Sequence, residues 1–429
     1  ERYWFPENSP DIRFRRSDDY LEACRELMTE AVRCRLPKTL DVGCMLSGGL
    51  DSPIIAGMAA DLLKQRGKRL STFTAATRKV GDERIWKGQY WDDFRNASLF
   101  AKNYSNIDAV EVGFSDEGMM DGLDAYMHAA GMPPSSQIQR AFLSAIGKQA
   151  QKRRIGVMLD GYYGNGTISH AGKERLENLF RKGRWLALLG QWRGLLEKGY
   201  GLETCLAWTF GGFLPDSVQW YLRKILRRGL QDVTAITPLA PSLASDPELE
   251  KKFSDVIDGK LVIGSADRKA STLGWLGISL YGYSTWYRQV FGIDLLAPYS
   301  DPRIIEFCAG LPDDQFLGQG ESRHLARRLL RSMGAPVALV NEPRRGMPMA
   351  NWHASVSAAR QDMLVEMDFL ENSPGVRSVL DVERLRDLLS HDLPTERLAD
   401  RLVYAKYTYT LSRGMSVGRF IRRMERGNR

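Results

Sequence analysis

Residues 47–52 place two serines, two glycines and one aspartate in a single short turn, with the sequence SGGLDS. Glycines allow successive backbone N–H groups to point toward one spot, and the start of a helix adds partial positive charge there. Ser47 and Ser52 can donate hydroxyl hydrogen bonds to phosphate oxygens, and Gly48 and Gly49 can supply N–H groups. The turn therefore predicts a binding site for a phosphate-bearing ligand.

Asp51 needs a separate explanation, because a carboxylate repels a phosphate. A divalent cation between the two groups removes the repulsion, and Mg²⁺ is commonly held by one or two carboxylates together with substrate phosphates. Asp51 is therefore predicted as a Mg²⁺ ligand. The alternative interpretation is a tight strand-to-helix turn with a capping serine. The turn matches neither the G-x-x-x-x-G-K-[ST] loop nor the G-x-G-x-x-G fingerprint.

The elements around the turn alternate between strand and helix. Short apolar runs predict strands at 39–46, 69–77, 107–114 and 155–161, and helical spacing predicts helices at 19–34, 52–67, 91–105, 116–130 and 137–153. This alternation predicts an α/β fold with a parallel sheet and helices on both faces. Because ligands collect at the carboxyl edge of such a sheet, the loops after residues 46 and 160 are expected to face one crevice.

The chain is predicted to have three parts. Residues 1–18 form a lead-in segment, 19–175 an ATP-binding α/β core, and 176–429 a mostly helical, substrate-binding region. No strand is expected in the third part. Its predicted helices lie at 268–290, 302–311, 321–333, 353–370, 381–390 and 395–413.

Composition limits the classes of function. The 429 residues carry a net charge of +8, which favours anionic ligands. Five cysteines are scattered without CxxC pairs, which argues against a disulfide framework or a zinc site. No apolar run approaches the roughly 20 residues of a membrane span. No secretory pattern begins the sequence. A cytoplasmic protein without a membrane partner is predicted.

The SGGxDS pattern resembles the pyrophosphate loop of the ATP pyrophosphatase (PP-loop) families. The resemblance implies a Rossmann-like sheet of the HUP type and cleavage of ATP between its α and β phosphates. It also implies that AMP passes to a substrate oxygen while pyrophosphate stays in the turn. ATP and Mg²⁺ are the implied cofactors, with the outer phosphates on Ser47, Gly48, Gly49 and Ser52.

Residues 291–352 resemble the synthetase domain of the asparagine synthetase superfamily. The matching or nearly matching positions are Gly292, Ile293, Pro298, Tyr299, Asp301, Leu311, Pro312, Arg323, Arg327, Arg344, Gly346 and Met347. The resemblance places Arg344 where the family has a lysine that stabilises pyrophosphate. It also implies that Arg323 assists in binding the nucleotide.

Two departures from that family narrow the interpretation. No glutaminase domain with an N-terminal cysteine precedes the turn, so this chain is not expected to release ammonia from glutamine. The family's L-x-G-x-G-x-D-E loop is present as LDGYYGNGTISHAG, with Asn165 and Gly166 at the usual acidic positions. An amide is a weaker Mg²⁺ ligand than a carboxylate. Asp160, five residues earlier, is therefore predicted to serve as a Mg²⁺ ligand instead.

The same loop resembles two branches that form an amide within one molecule. In the β-lactam synthetase branch, the position of Tyr162 holds a tyrosine that helps to deprotonate the attacking amine, and Glu197 is the predicted acidic partner. The stretches GNGTISHAG and RRGMPMANWH resemble lasso peptide cyclases. That resemblance implies macrolactam closure in RiPP biosynthesis, with a precursor peptide and its leader-processing proteins as partners.

Three alternatives stay open. The first is an asparagine-synthetase-like ligase that takes ammonia from a separate glutaminase. The second is a PP-loop enzyme that modifies tRNA, although no RNA-binding module is recognisable and nucleic acid is not the expected partner. The third is a binding protein without catalysis, because Asn165 weakens the expected metal site.

Overall fold

The computed structural model describes residues 3–76, 89–90, 93–113, 118–215, 218, 236–246, 248–249, 279–342, 345–346, 352–398 and 400–427. Its strands are β1 (Asp41–Met45), β2 (Leu70–Ala76), β3 (Gln89–Tyr90), β4 (Ile107–Gly113), β5 (Ile155–Leu159), β6 (Asp294–Leu296), β7 (Leu317–Gly318), β8 (Glu321–Ser322) and β9 (Arg345–Gly346). Five of them form one parallel sheet in the order β4-β2-β1-β5-β6. The predicted α/β fold is therefore confirmed.

Helices flank this sheet and fill the second half of the described chain. They are α1 (Ser17–Arg33), α2 (Asp51–Lys64), α3 (Asp93–Ala101), α4 (Leu123–Ala130), α5 (Gln137–Lys152), α6 (Glu174–Arg181), α7 (Trp185–Glu197), α8 (Leu202–Phe210), α9 (Pro241–Ala244), α10 (Ser279–Trp286), α11 (Pro302–Gly310), α12 (His324–Ser332), α13 (Val337–Val340), α14 (Trp352–Ala358), α15 (Arg360–Glu371), α16 (Pro374–Val379), α17 (Val382–Ser390), α18 (Arg401–Ala405) and α19 (Ser412–Glu425). Among the helices described, none is long and apolar enough to cross a membrane.

Alternating side chains of the strands separate two hydrophobic clusters. Val42 and Cys44 of β1 pack into one cluster with α1, α2, α11 and α12. Met45 of β1 and Met158 of β5 pack into the other cluster, with α4, α5 and the C-terminal helices α14 to α19. Neighbouring strand residues point to opposite faces of the sheet, and each face is covered by one of these two clusters. Helices α6, α7 and α8 form a smaller cluster together with Leu317 of β7.

The expectation of no strand after residue 176 is wrong. Strand β6 pairs in parallel with β5, with Val157 opposite Asp294 and Leu159 opposite Leu296. Three residues are too few to show an alternating pattern. The pairing with β5, and not the local sequence, therefore defines this strand. The two-residue strands β7, β8 and β9 also lie in this region. The predicted domain boundaries stay a prediction.

Several helices begin or end at other residues than predicted. Helix α2 begins at Asp51, and α4 begins at Leu123 instead of residue 116. Near the C-terminus, α18 passes through a π-helical stretch at Lys406–Leu411 into α19, which ends at Glu425. The predicted helices at 91–105 and 268–290 lie partly outside the described residues.

Candidate nucleotide-binding site

The SGGLDS turn joins β1 to α2 and is closed by its own hydroxyl groups. The N–H of Ser47 donates to Ser52 Oγ over 2.8 Å, and the two serine Oγ atoms lie 2.9 Å apart. The N–H of Gly49 donates to Ser47 Oγ over 3.3 Å. The hydroxyl of Tyr299 donates to the carbonyl of Asp51 over 2.9 Å. The second sequence motif, at 291–352, therefore contacts the turn directly.

The Asp51 carboxylate lies against the glycine-rich loop that follows β5. A Cβ atom built on Gly164 would lie 2.2 Å from Asp51 Oδ1 and 2.4 Å from its Cγ, so only glycine leaves room for the carboxylate. Asp51 Oδ1 is shielded from solvent and accepts no hydrogen bond from the described residues. Burial raises the pKa of the Asp51 carboxyl, while the charge of Arg323 and the hydroxyl of Ser169 lower it. A buried carboxylate oxygen without a donor is suited to a cation.

Asp160 extends the carboxyl end of β5, the neighbour of β1 in the sheet. Its N–H donates to the carbonyl of Leu296 over 2.9 Å. Burial raises the pKa of Asp160 to about 6, although hydrogen bonds from the N–H groups of Tyr162 and Gly161 lower it in part. The side chain therefore keeps its proton to a higher pH than an ordinary aspartate does.

The loop after β5 has a strained residue, Tyr163, directly after Tyr162. Tyr163 has φ = 74°, a left-handed conformation that is rare for a bulky residue and costs about 1–3 kcal/mol. The hydroxyl of Thr167 donates to the carbonyl of Tyr163 over 3.0 Å and stabilises this conformation. The ring of Tyr162 stacks on Tyr163 with 6.5 Å between centroids and lines the adjacent cavity.

A cavity of about 330 Å³ opens beside the turn at the carboxyl edge of the sheet. Its polar side includes Ser47, Ser52 and the carboxylates of Asp51, Asp93 and Asp160. Its apolar lining residues are Met45, Leu46, Phe73, Ala75, Phe142, Leu143, Ile146, Tyr283 and Leu295. The cavity therefore combines hydroxyl and acidic groups of the predicted phosphate-binding turn with apolar residues that suit an apolar or planar group.

Asp93 is a residue of the site that the sequence reasoning missed. It is the first residue of α3, is 7% exposed, and its Oδ1 accepts a hydrogen bond from the N–H of Gly48 over 3.1 Å. In the sequence, an aspartate at a helix start is typical of helix capping, so the local pattern gives it no special meaning. β1 and β2 are neighbours in the parallel sheet, so the segments that follow them lie side by side. This strand order is the signal that could have identified Asp93.

Arg323 immediately precedes α12 and is the arginine predicted to assist in binding the nucleotide. Its own φ is 58°, a left-handed conformation, and its charge lowers the pKa of Asp51. The preceding hairpin of β7 and β8 is held by Glu321, which pairs with Arg331 and His324. Although burial raises the pKa of Glu321, hydrogen bonds from these two partners lower it to about 2. That Arg323 binds nucleotide stays a prediction.

The sequence also singles out Glu197, Asn165 and Arg344. None of them is among the described residues that line the cavity. The carboxylate of Glu197, at the end of α7, pairs with Arg193 over 2.9 Å, and its side chain is 62% exposed. Glu197 is not among the residues that line the cavity beside Tyr162. Asn165 is exposed and does not line it either. Arg344 lies outside the described residues, so its role stays a prediction.

The residues present fit a divalent cation shared between protein and phosphates. Three carboxylates line the cavity, and none of its described lining residues is Lys, Arg or His. Their oxygens are the ligands that Mg²⁺ prefers. Within the described ranges, no three acidic, histidine or cysteine side chains converge into a metal site of their own. A cation here would therefore need phosphate oxygens as well, and Asp51 and Asp160 as its protein ligands stay a prediction.

The parallel sheet, the glycine-rich turn after β1 and the carboxylate-lined cavity define a nucleotide-binding α/β protein of the PP-loop type. The model of the asparagine synthase family matches residues 23–230 and 287–407, well over half of the chain. This chain therefore belongs to the asparagine synthase family. Membership in this family makes ATP-dependent ligation the activity to propose for this chain.

Individual relatives are more distant. A segment of 61 residues is 44% identical to Amidase chry2 of Gibberella zeae, and the match covers 14% of this chain and 9% of that protein. Among solved structures, the U34-tRNA thiolase NcsA of Methanococcus maripaludis, with its [4Fe-4S] cluster, is 15% identical. That match covers 63% of this chain and 80% of the thiolase, with a TM-score of 0.28. Neither likeness supports an inference about the activity of this chain.

Proposed function

We propose that this chain is an ATP-dependent, AMP-forming ligase that adenylates a carboxylate and then joins the activated carbonyl to an amine. We further propose that its reaction is macrolactam closure of a lasso precursor peptide. The observation that carries the first proposal is the position of Asp51. Its carboxylate oxygen Oδ1 is buried without a hydrogen-bond donor within the predicted phosphate-binding turn, where a cation shared with phosphates would satisfy it.

The first step activates the carboxylate. A carboxylate oxygen of the substrate attacks the α phosphorus of ATP, and the bond from that phosphorus to the bridging oxygen breaks, so that pyrophosphate leaves with the bonding electrons. Ser47 and Ser52 hold the departing phosphates through hydroxyl and N–H groups. Mg²⁺, held by Asp51 and Asp160, would neutralise the charge that develops on the leaving pyrophosphate.

The second step forms the amide. The amine nitrogen attacks the acyl carbon, AMP leaves, and the amine loses one proton to a base. Tyr162 is the proposed base, because its side chain lines the same cavity as the carboxylates. The proposed ring closure also brings the amine and the activated carboxyl together in one molecule, which favours the reaction through proximity.

A peptide is the proposed substrate for two reasons. The stretches GNGTISHAG and RRGMPMANWH resemble lasso peptide cyclases. In addition, Asn165 and Gly166 replace the acidic pair of the ammonia-using synthetases. A carboxylate side chain inside the peptide would be activated, and the N-terminal amine of the same peptide would attack it. Leader-processing proteins are the proposed partners that deliver this peptide.

Exchange of labelled pyrophosphate into ATP separates the candidate functions. Purified protein is incubated with Mg²⁺, ATP and either a peptide with a free N-terminus and an internal Asp or Glu, free aspartate with ammonia, or tRNA. The proposal expects exchange with the peptide alone. Exchange only with aspartate would support the ammonia-using ligase, and exchange only with tRNA would support the tRNA-modifying enzyme.

Mass spectrometry then tests ring closure. The peptide product should be lighter by one water, and protease digestion should leave the ring intact. An N-acetylated peptide is the matched control, because it keeps the carboxylate but lacks the amine. It should support exchange without yielding a cyclic product. A peptide that is adenylated but never cyclised, with its amine free, would contradict the macrolactam proposal.

A further inference from the structure

The first three backbone N–H groups of the turn, those of residues 47–49, already have acceptors from the protein. The N–H of Ser47 donates to Ser52 Oγ, and the N–H of Gly49 donates to Ser47 Oγ. The N–H of Gly48 donates to Asp93 Oδ1 over 3.1 Å. The first two acceptors are hydroxyl groups of the turn itself. Asp93 differs from both, because it belongs to α3 and is a buried carboxylate.

We propose that Asp93 is a built-in competitor for pyrophosphate: its carboxylate occupies the N–H of Gly48, and the phosphates of the nucleotide must displace it. Asp93 is thus a positioning residue that weakens the hold of the turn on pyrophosphate and favours release of this product. This inference rests on the proposed function, since it assumes that the turn binds pyrophosphate.

The geometry and the charges support displacement. One N–H group cannot donate a full hydrogen bond to a carboxylate and to a phosphate oxygen at once. Both acceptors are anionic, so their repulsion in a cavity lined by two further carboxylates opposes simultaneous occupancy. Hydroxyl acceptors such as Ser52 Oγ do not repel a phosphate in this way, because a hydroxyl can rotate and donate a hydrogen bond to it.

The backbone around Asp93 connects this contact to a second part of the site. Strand β3, shortly before Asp93, pairs in parallel with β9, with Gln89 opposite Arg345 and Tyr90 opposite Gly346. The β9 strand belongs to the segment that resembles the pyrophosphate-stabilising motif of the family. Asp93 therefore follows closely a strand that pairs with this distant segment.

Calorimetric titration with sodium pyrophosphate tests the proposal, first without and then with Mg²⁺. Asp93→Ala should bind pyrophosphate about tenfold more tightly than the wild type, because no charge-assisted hydrogen bond must be broken. Asp93→Asn keeps an acceptor for Gly48 but lacks the charge, so it should lie between the two. Since the asparagine side chain has nearly the same shape, it also tests the proposal if the alanine variant fails to fold.

Asp121→Ala is the matched control. Asp121 Oδ2 also accepts a hydrogen bond from a glycine N–H, that of Gly118 at 2.7 Å, but Asp121 does not line the cavity. This variant should bind pyrophosphate as the wild type does.

Equal or weaker binding by both Asp93 variants would overturn the proposal and leave the proposed function standing. The same holds if Asp93→Ala loses only the Mg²⁺-dependent part of binding, because Asp93 would then be a metal ligand. Failure of the wild type and all variants to bind pyrophosphate would overturn the proposed function together with the inference.

Discussion

Gly164→Ala is the substitution that most directly tests the contact between the two loops of the site. A Cβ atom at Gly164 would lie 2.2 Å from Asp51 Oδ1, whereas ordinary contacts begin at 3.4 Å. The Asp51 carboxylate would therefore have to retreat by about 1 Å, a misplacement that costs roughly 100-fold in rate when the group is part of a catalytic site. Gly164 is not among the residues with positive φ, so its backbone accepts alanine and the effect is one of space.

The assay is pyrophosphate exchange with Mg²⁺ and the peptide substrate, accompanied by urea unfolding of each variant. Gly164→Ala should lower the exchange rate about 100-fold and the free energy of unfolding by about 1–3 kcal/mol through overpacking. Gly161→Ala should have a smaller effect, because its Cβ would lie 3.1 Å from the N atom of Ser52. Gly190→Ala, in α7, is the control, since nothing lies within 4 Å of its added carbon.

Two results would refute this reasoning. A folded Gly164→Ala protein with wild-type exchange would mean that the position of the Asp51 carboxylate is irrelevant to catalysis. An equal loss in Gly190→Ala would mean that the assay responds to general instability. Full activity in Gly190→Ala, with a slight gain in stability from the better helix propensity of alanine, is the expected outcome.

Three further predictions address other residues. Tyr162→Phe should leave pyrophosphate exchange intact and abolish amide formation, and equal loss of both in parallel assays would exclude Tyr162 as the base. The pKa of Asp160 is about 6 when folded and near 3.8 when unfolded, so the unfolded chain loses this proton first as pH rises. The free energy of unfolding should therefore fall by about 3 kcal/mol from about pH 4 to pH 6. Urea titrations at each pH should show no such contribution in Asp160→Asn. Arg327 is buried and donates to three backbone carbonyls, so Arg327→Met should cost about 3 kcal/mol in urea unfolding. A cost below about 1 kcal/mol would show that water replaces those bonds.

Local patterns predicted much of the fold. The four longer strands of the main sheet each carry buried apolar residues, and the SGGLDS turn lies between the first strand and a helix, as the sequence indicates. Strand β6 could not be predicted, because three residues carry too little pattern and its pairing with β5 spans well over 100 residues of chain. The helix start at Asp51 was missed by one residue, since Ser52 is equally typical of a cap.

The site was predictable where one loop supplies several groups and not where separate elements meet. Ser47 and Ser52 belong to one turn, so spacing alone placed them together. Asp93 was missed because only the sheet order brings it to Gly48. Glu197 was chosen by its distance along the chain from Tyr162. Sequence distance does not show which way a helix face points, and Glu197 lies on an exposed face of α7, where it pairs with Arg193.

The fate of ATP tests the central claim most directly. Phosphorus NMR of a reaction with the wild-type protein, Mg²⁺, ATP and the peptide substrate distinguishes the phosphate products without further reagents. A cation shared between Asp51 and the two outer phosphates predicts AMP and pyrophosphate in equal amounts, both absent with Asp51→Ala. The appearance of ADP and orthophosphate would contradict the account, because the bond broken would then lie between the phosphates that the turn is proposed to hold.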